Sequence, residues 1–360
     1  MTTSPLKIQA GRAALQLIRK HGFDPNLVQV VPGAAGGPKW LMLNRLDRAL
    51  FGNWFKGRNG APLHLIGSSI GSWRFTALSH PDPIEGLDRF EAAYLGVKLI
   101  PYADSRQVSE ATRSALDDFL PDKTIDAILN HPTLRLHIVT ARARGMASME
   151  PTLLQGIGMM GAFVTNAIHR ELVGLAFERV VFQDKRSEQP FYHTGFRAPV
   201  TVALDAGNLK DALMASAAIP LVLRGVRNIA GAPAGTYRDG GLLDYQFDIP
   251  YPGVREGIVL FPHYTQTITP GWLDKSLKWR RPRTRNLENM VMISPSPEFV
   301  AKLPMGKIPD RHDFEHFRVR NHDRIAYWRK VLTETDRLHD TFLEWVEKDT
   351  VLDHIQPFET

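Results

Sequence analysis

Apolar and polar residues alternate in blocks along this chain. Leu6, Ala10, Ala13, Ala14 and Leu17 recur at helical spacing, and Gly22 and Pro25 halt them, which predicts an amphipathic helix over about 6–21. The short run Leu27 to Val31 predicts a buried strand, and Leu43, Leu46 and Leu50 mark the helix after it. Leu63 to Ile66 predicts a second strand, turning at once into a helix. Strand, glycine loop, helix and strand in this order predict a mostly parallel sheet with helices on both faces.

Downstream, Leu87, Phe90, Tyr94 and Val97 share one helical face after Pro83, and a further helix is expected over Ser105 to Leu120. Leu134, Leu136 and Ile138 alternate with Arg135 and His137, the pattern of a strand with one wetter face. Strands are expected at Val180 to Phe182, Val200 to Leu204, Ile258 to Phe261 and, last in the chain, Met290 to Ile293; a helix is expected over about Asn208 to Ala218. Ile325, Trp328, Leu332, Leu338, Phe342 and Trp345 form one stripe, predicting a long C-terminal helix from Asn321 to about Val346. The 360 residues contain no internal repeat and no low-complexity linker, so a single domain is expected.

Composition narrows the chemistry. With no cysteine, disulfides, thiolate zinc sites and cysteine nucleophiles are excluded. The N-terminus lacks the apolar core of an export signal and no stretch has the character of a membrane span, so a cytoplasmic protein is expected. A net charge of +6 over the whole length is not a nucleic-acid signature. The cations cluster only at Lys275 to Arg285, where Lys278, Arg280 and Arg281 accompany Trp272 and Trp279. Lysine, arginine and interfacial tryptophan suit peripheral contact with an anionic membrane, and equally a solvated loop.

Two glycine-rich patterns carry the reactive candidates. Gly67-Ser68-Ser69-Ile70-Gly71 fits the G-x-S-x-G elbow, which exposes a serine hydroxyl at a helix N-terminus and aims the Ile70 N–H at an oxyanion. Gly36 and Gly37, one strand earlier, offer further backbone donors, with Lys39 beside them. A phosphate loop is a poor match there, because Pro38 stands where glycine belongs and Trp40 follows the lysine. Asp239-Gly240-Gly241 by itself reads as a turn, but Ala215-Ser216-Ala217-Ala218-Ile219-Pro220 precedes it. Gly156-Ile157-Gly158-Met159-Met160-Gly161 matches G-x-G-x-x-G without the strand that a dinucleotide site requires, and reads as part of an apolar helix or flap able to line an acyl-chain channel, or equally of an ordinary core helix. Neither a metal site nor a cofactor is indicated; Asp313, Glu315, His316 and His322 read as charged residues flanking a helix.

In joint order and spacing over about residues 27–250, these segments resemble the patatin-like phospholipase family: Ala35 to Lys39 its oxyanion loop, Gly67 to Gly71 its elbow, and Asp239 to Gly241 its aspartate motif. The resemblance implies a three-layer α/β/α fold, with residues 251–360 adding C-terminal strands and a helical extension. It also implies a Ser69–Asp239 dyad that hydrolyses lipid esters without histidine or cofactor, with Gly36, Gly37 and Ile70 as oxyanion donors. Lys39, Gly67, Gly71, Gly240 and Gly241 would support them. Two departures, Ala35 for the first glycine and Trp40 for a glycine after the basic residue, would narrow the loop and restrict substrate size. A Ser69, Asp239 and His263 triad is the rival, His263 following the apolar run at Ile258 to Phe261. A lipid-binding protein with a vestigial site and a nucleotide-dependent enzyme are the readings from other classes.

Overall fold

The computed structural model describes residues 4–98, 103–186, 191 and 198–358. Its centre is a mostly parallel mixed sheet of eleven strands: β1 (Leu6–Ala10), β2 (Val28–Gly33), β3 (Leu63–Ser68), β4 (Leu134–Ala143), β5 (Phe177–Gln183), β6 (Val200–Ala203), β7 (Val226–Arg227), β8 (Thr236–Asp239), β9 (Ile258–Pro262), β10 (Met290–Pro295) and β11 (Ile355–Pro357). The order across it is β11-β1-β10-β9-β2-β3-β4-β5-β6, with β8 pairing β4 and β7 pairing β8. Helices flank it, giving the α/β architecture expected. Those that bear on the site are α1 (Arg12–His21), α2 (Asn44–Gly52), α3 (Ile70–Leu78), α4 (Thr152–Ile168), α5 (Leu209–Ser216), α6 (His312–Phe317) and the long C-terminal α7 (Asn321–Glu347).

The central strands are buried on both faces, as parallel strands under helices must be. Val28, Val30, Val31, Leu65, Ile66, Ile258, Val259 and Leu260 are completely enclosed. Of the two residues expected on the wetter face of β4, only Arg135 is half-exposed, since His137 is fully buried and bonds the His64 ring at 3.1 Å. The elbow helix α3 is buried along its entire length, and Arg74 on it pairs at 2.8 Å with Asp47 of α2 inside the protein.

Three elements differ from the sequence expectation. The segment expected to open as a helix at residue 6 is split: Leu6 to Ala10 form β1, wedged between β10 and β11, and only Arg12–His21 are helical. Apolar residues at 6, 8 and 10 satisfy a strand as well as a helix, and partners far along the chain, at 291–295 and 355–357, decide between them. Residues 290–293 are not the last strand, because Ile355–Pro357 adds a short parallel strand to β1. Asp239 ends a strand, β8, that the turn reading did not contain.

Candidate active site

The meeting of Ser69 and Asp239 follows from the length of β4. Its first half pairs in parallel with β3 as far as Ser68 opposite Val139. There β3 stops, but β4 runs on to Ala143, leaving a row of open backbone groups. β8 fills the vacated edge from the opposite direction, pairing antiparallel with Thr140 to Ala143, so that its final residue Asp239 lies opposite Thr140. The ends of β3 and β8 therefore face each other across one register step of β4. The Ser69 hydroxyl donates to Asp239 Oδ2 at 2.7 Å, and Asp239 Oδ1 accepts the Gly241 N–H at 2.7 Å.

The elbow is strained as its pattern requires. Ser69 has φ 54°, uncommon for a residue with a side chain. The glycines around it are set by contact. A Cβ on Gly67 would lie 2.4 Å from the Ser72 nitrogen, one on Gly71 would lie 1.9 Å from the Gly33 carbonyl oxygen, and one on Gly240 would lie 2.2 Å from the Val139 carbonyl oxygen. Ile70 opens α3 and is buried. Sequence reasoning gave no role to Ser216, at the end of α5, which accepts the Ser69 N–H at 2.8 Å and donates to the Val139 carbonyl at 2.7 Å. Its only sequence signal is the small-residue segment preceding Asp239.

Ser69 and Asp239 open on a cavity of about 400 Å³ that Gly36, Gly37 and Lys39 also line, with Ile219, Pro220 and Leu242 on its apolar side. The glycine loop is held from behind. The Ala35 N–H donates to the Tyr245 carbonyl at 2.8 Å, and the Tyr264 hydroxyl donates to the Ala35 carbonyl at 2.6 Å. Gly36 and Gly37 take φ 155° and 57°, a pair of turns that side chains would resist. Trp40 does not narrow this loop as expected. It is buried in the core against Phe90, with ring centres 4.3 Å apart, and is not part of the cavity wall.

Burial pushes the Asp239 carboxyl up to about 6, against the opposing pull of the Ser69 and Gly241 hydrogen bonds and of Lys275. Lys275 stands in the same wall with its ammonium 4.1 Å from the Tyr245 ring centre; burial, together with Lys39 and Arg311, lowers it to about 8. Lys39, lowered chiefly by burial, lies 5.0 Å from the Tyr264 ring centre. A carboxylate poised near neutrality beside a hydroxyl is suited to accept its proton.

His263 stands apart from this arrangement. Its ring is fully buried between Phe261 and Tyr264, Nδ1 bonds the Thr265 carbonyl at 2.6 Å, and Nε2 has no partner among the described residues. Asp239 is bonded by Ser69 and Gly241, and no bond among the described residues joins His263 to Ser69 or Asp239.

The cluster expected to meet a membrane does not form one face. Trp272 lies in the cavity wall under Arg311, and Arg280 turns inward to the Asn166 carbonyl at 2.7 Å and to the buried Asp274. Lys278 and Arg281 are exposed beside a second cleft, and Trp279 is 69% exposed. The glycine pattern at 156–161 lies inside α4, whose residues are absent from the wall of the serine cavity, so that helix is not the expected channel lining. Its outer stripe is instead open: Leu153, Ile157, Met160, Val164 and Ile168 are all exposed. Asp313 is not a solvated flanking residue but a buried acceptor for Lys307 at 2.5 Å and Trp328 at 2.9 Å. Among the described residues, no helix is long and apolar enough to cross a membrane.

No protein-family model matches the sequence, and no curated protein matches it. Among solved structures, human GIVD cytosolic phospholipase A2 is distantly similar, at a TM-score of 0.37 and 9% identity, over 95% of this chain and 63% of that one. The chain thus spans under two thirds of the length of that structure.

Proposed function

We propose that the protein is a serine acyl hydrolase acting on lipid esters through a Ser69–Asp239 dyad. The observation that carries this is the 2.7 Å bond from the Ser69 hydroxyl to an Asp239 carboxylate raised by burial, at the floor of a cavity rimmed by glycine amides. In the reaction, Asp239 takes the hydroxyl proton as Ser69 attacks the ester carbonyl. The amides of Gly36, Gly37 and Ile70 receive the charge that forms on the carbonyl oxygen, each such donor contributing about 3 kcal/mol. Asp239 returns its proton to the departing alcohol, leaving an acyl-Ser69 ester. Water, deprotonated by Asp239, then releases the carboxylic acid and restores the hydroxyl. No histidine and no cofactor takes part.

The chain, 1–360, works in this reading as one unit, because the strands after residue 251 complete the sheet that carries the elbow. Ile219, Pro220 and Leu242 accept the acyl chain. The exposed stripe of α4, with Trp279 on the loop that Arg280 ties to that helix, supplies peripheral contact with an anionic membrane from the cytoplasmic side.

The test is covalent labelling with a fluorophosphonate, followed by product analysis on a mixed lipid extract. Wild type should label and release fatty acid, and Ser69→Ala should do neither. Unlabelled wild-type protein, or fatty acid release by Ser69→Ala, would remove the assignment.

A further inference from the structure

Behind the serine cavity lies a larger cleft, of about 1090 Å³, that the hydrolase reading does not use. It shares Thr267, Thr269 and Lys275 with the serine cavity and extends from them to β1 and the start of α1. Leu15, Ile268, Leu277 and Phe358 give it an apolar part. Its walls carry Lys7, Arg12, Lys275, Lys278, Arg280 and Arg281 against only two acids, Asp274 and Glu288.

Three of those six cations are without an ion pair among the described residues. Asp274 is already engaged by Asn166 Nδ2 at 2.7 Å and the Gly271 N–H at 2.9 Å, besides Arg280. Arg12, Lys278 and Arg281 are exposed and make no ion pair among the described residues. The first turn of α1 contains no acidic residue, so the positive end of its dipole adds to the field at Arg12. One polar group inside the cleft is also unsatisfied. Gln9 on β1 is 3% exposed, yet its Oε1 has no hydrogen-bond partner among the described residues. A buried carboxamide oxygen left this way calls for a donor, which a bound hydroxyl would provide.

The geometry points to a second binding site here, for a phosphorylated ligand with a hydroxyl-bearing body, its phosphates held by Arg12, Lys278 and Arg281 and a hydroxyl by Gln9. The cations and the carboxamide divide the recognition between them. A phosphate needs only the charged rim, whereas the hydroxyl must reach Gln9. Such chemistry occurs both in soluble sugar phosphates and in phosphorylated lipid headgroups, and the volume is ample for either. This site goes beyond the hydrolase reading and can be tested without turnover.

Calorimetric titration of the full chain with fructose 1,6-bisphosphate, inorganic pyrophosphate and dihexanoyl phosphatidic acid below its micelle concentration reads the site directly. Wild type should bind the bisphosphate, and Arg12→Glu and Arg281→Glu, both at exposed positions, should each weaken it about tenfold or more. Gln9→Leu should weaken the bisphosphate severalfold while leaving pyrophosphate as in wild type, which a merely structural effect would not do. Tighter binding of the phosphatidic acid with the same dependence on Arg12 and Arg281 would assign the site to a lipid headgroup; the reverse order would assign it to a soluble phosphate. Absence of binding by any of the three probes overturns the proposal. So does binding that ignores both charge reversals, or that is lost only on Arg311→Gln, which would put the anion in the serine cavity.

Discussion

The Ser216 hydroxyl accepts the Ser69 backbone N–H at 2.8 Å while donating to the Val139 carbonyl at 2.7 Å. One side chain thus ties the strained elbow to the strand on which both halves of the proposed dyad are registered. Ser72 reinforces it, its own hydroxyl donating to the Ser69 carbonyl at 2.6 Å. The positive φ of Ser69 persists because bonds on both sides of its peptide leave no relaxed alternative.

Ser216→Ala should therefore lower kcat on a soluble ester by about tenfold with little change in KM, since it loosens the nucleophile without touching the substrate. Ser216→Thr, which keeps the hydroxyl, should recover part of the loss. Steady-state kinetics on both variants checks this, and an effect confined to KM would show that Ser216 acts on binding instead.

Activity should depend on pH through Asp239. The carboxyl must be ionised to accept the Ser69 proton, and burial places it at about 6. Hydrolysis is expected to rise through pH 6 and level off above it, with no inflection contributed by His263, which burial lowers to about 3. A profile of kcat/KM from pH 4.5 to 8 on a non-ionising ester tests the assignment.

The same shift has a stability consequence of definite sign. A carboxyl raised in the folded state binds its proton more tightly there than in the unfolded chain, where it keeps the ordinary carboxyl value of 3.8. Its contribution is fully present below that value and is lost as the pH rises through about 6. Asp239→Asn should accordingly raise the melting temperature at pH 8, by an amount corresponding to about 3 kcal/mol, and much less at pH 4.5. Equal effects at both pH values would contradict it.

Gly71→Ala should be far more damaging than an ordinary helix substitution. The new methyl would sit 1.9 Å from the Gly33 carbonyl oxygen, so β2 and α3 would have to separate. Loss of about 3 kcal/mol or outright failure to fold is expected, whereas Gly156→Ala, with open space around it, should be neutral or stabilising. Denaturant melts of the two variants make the comparison.

Contact with lipid should depend on α4. Replacing Leu153, Ile157 and Met160 together by serine removes exposed apolar area without opening the core, since none of the three is buried. Flotation with anionic vesicles should fall severalfold while the melting temperature holds, and unaltered flotation would place the contact elsewhere.

The elbow and the glycine loop were legible in the sequence because each is a local demand, whereas Asp239-Gly240-Gly241 by itself read as a turn and took its part only from the resemblance. A serine at positive φ between two backbone-crowded positions needs the glycines that flank it, and these are visible within five residues. The periodicities of the C-terminal helix and of the buried central strands were legible for the same reason, since each side chain there answers to its own element's repeat. What only the tertiary structure decided is everything set by partners far along the chain. Leu6 to Ala10 became a strand because β10 and β11 offer it edges on both sides. The outer stripe of α4 stayed open although apolar periodicity alone suits a buried helix equally well. Trp272 and Arg280 left the expected basic surface because Arg311 and the buried Asp274 draw them inward. The distance from Ser69 to Asp239, 170 residues apart, is fixed by where β3 ends and β8 begins to pair along β4, a register that hydrogen bonds between strands determine and no local pattern records.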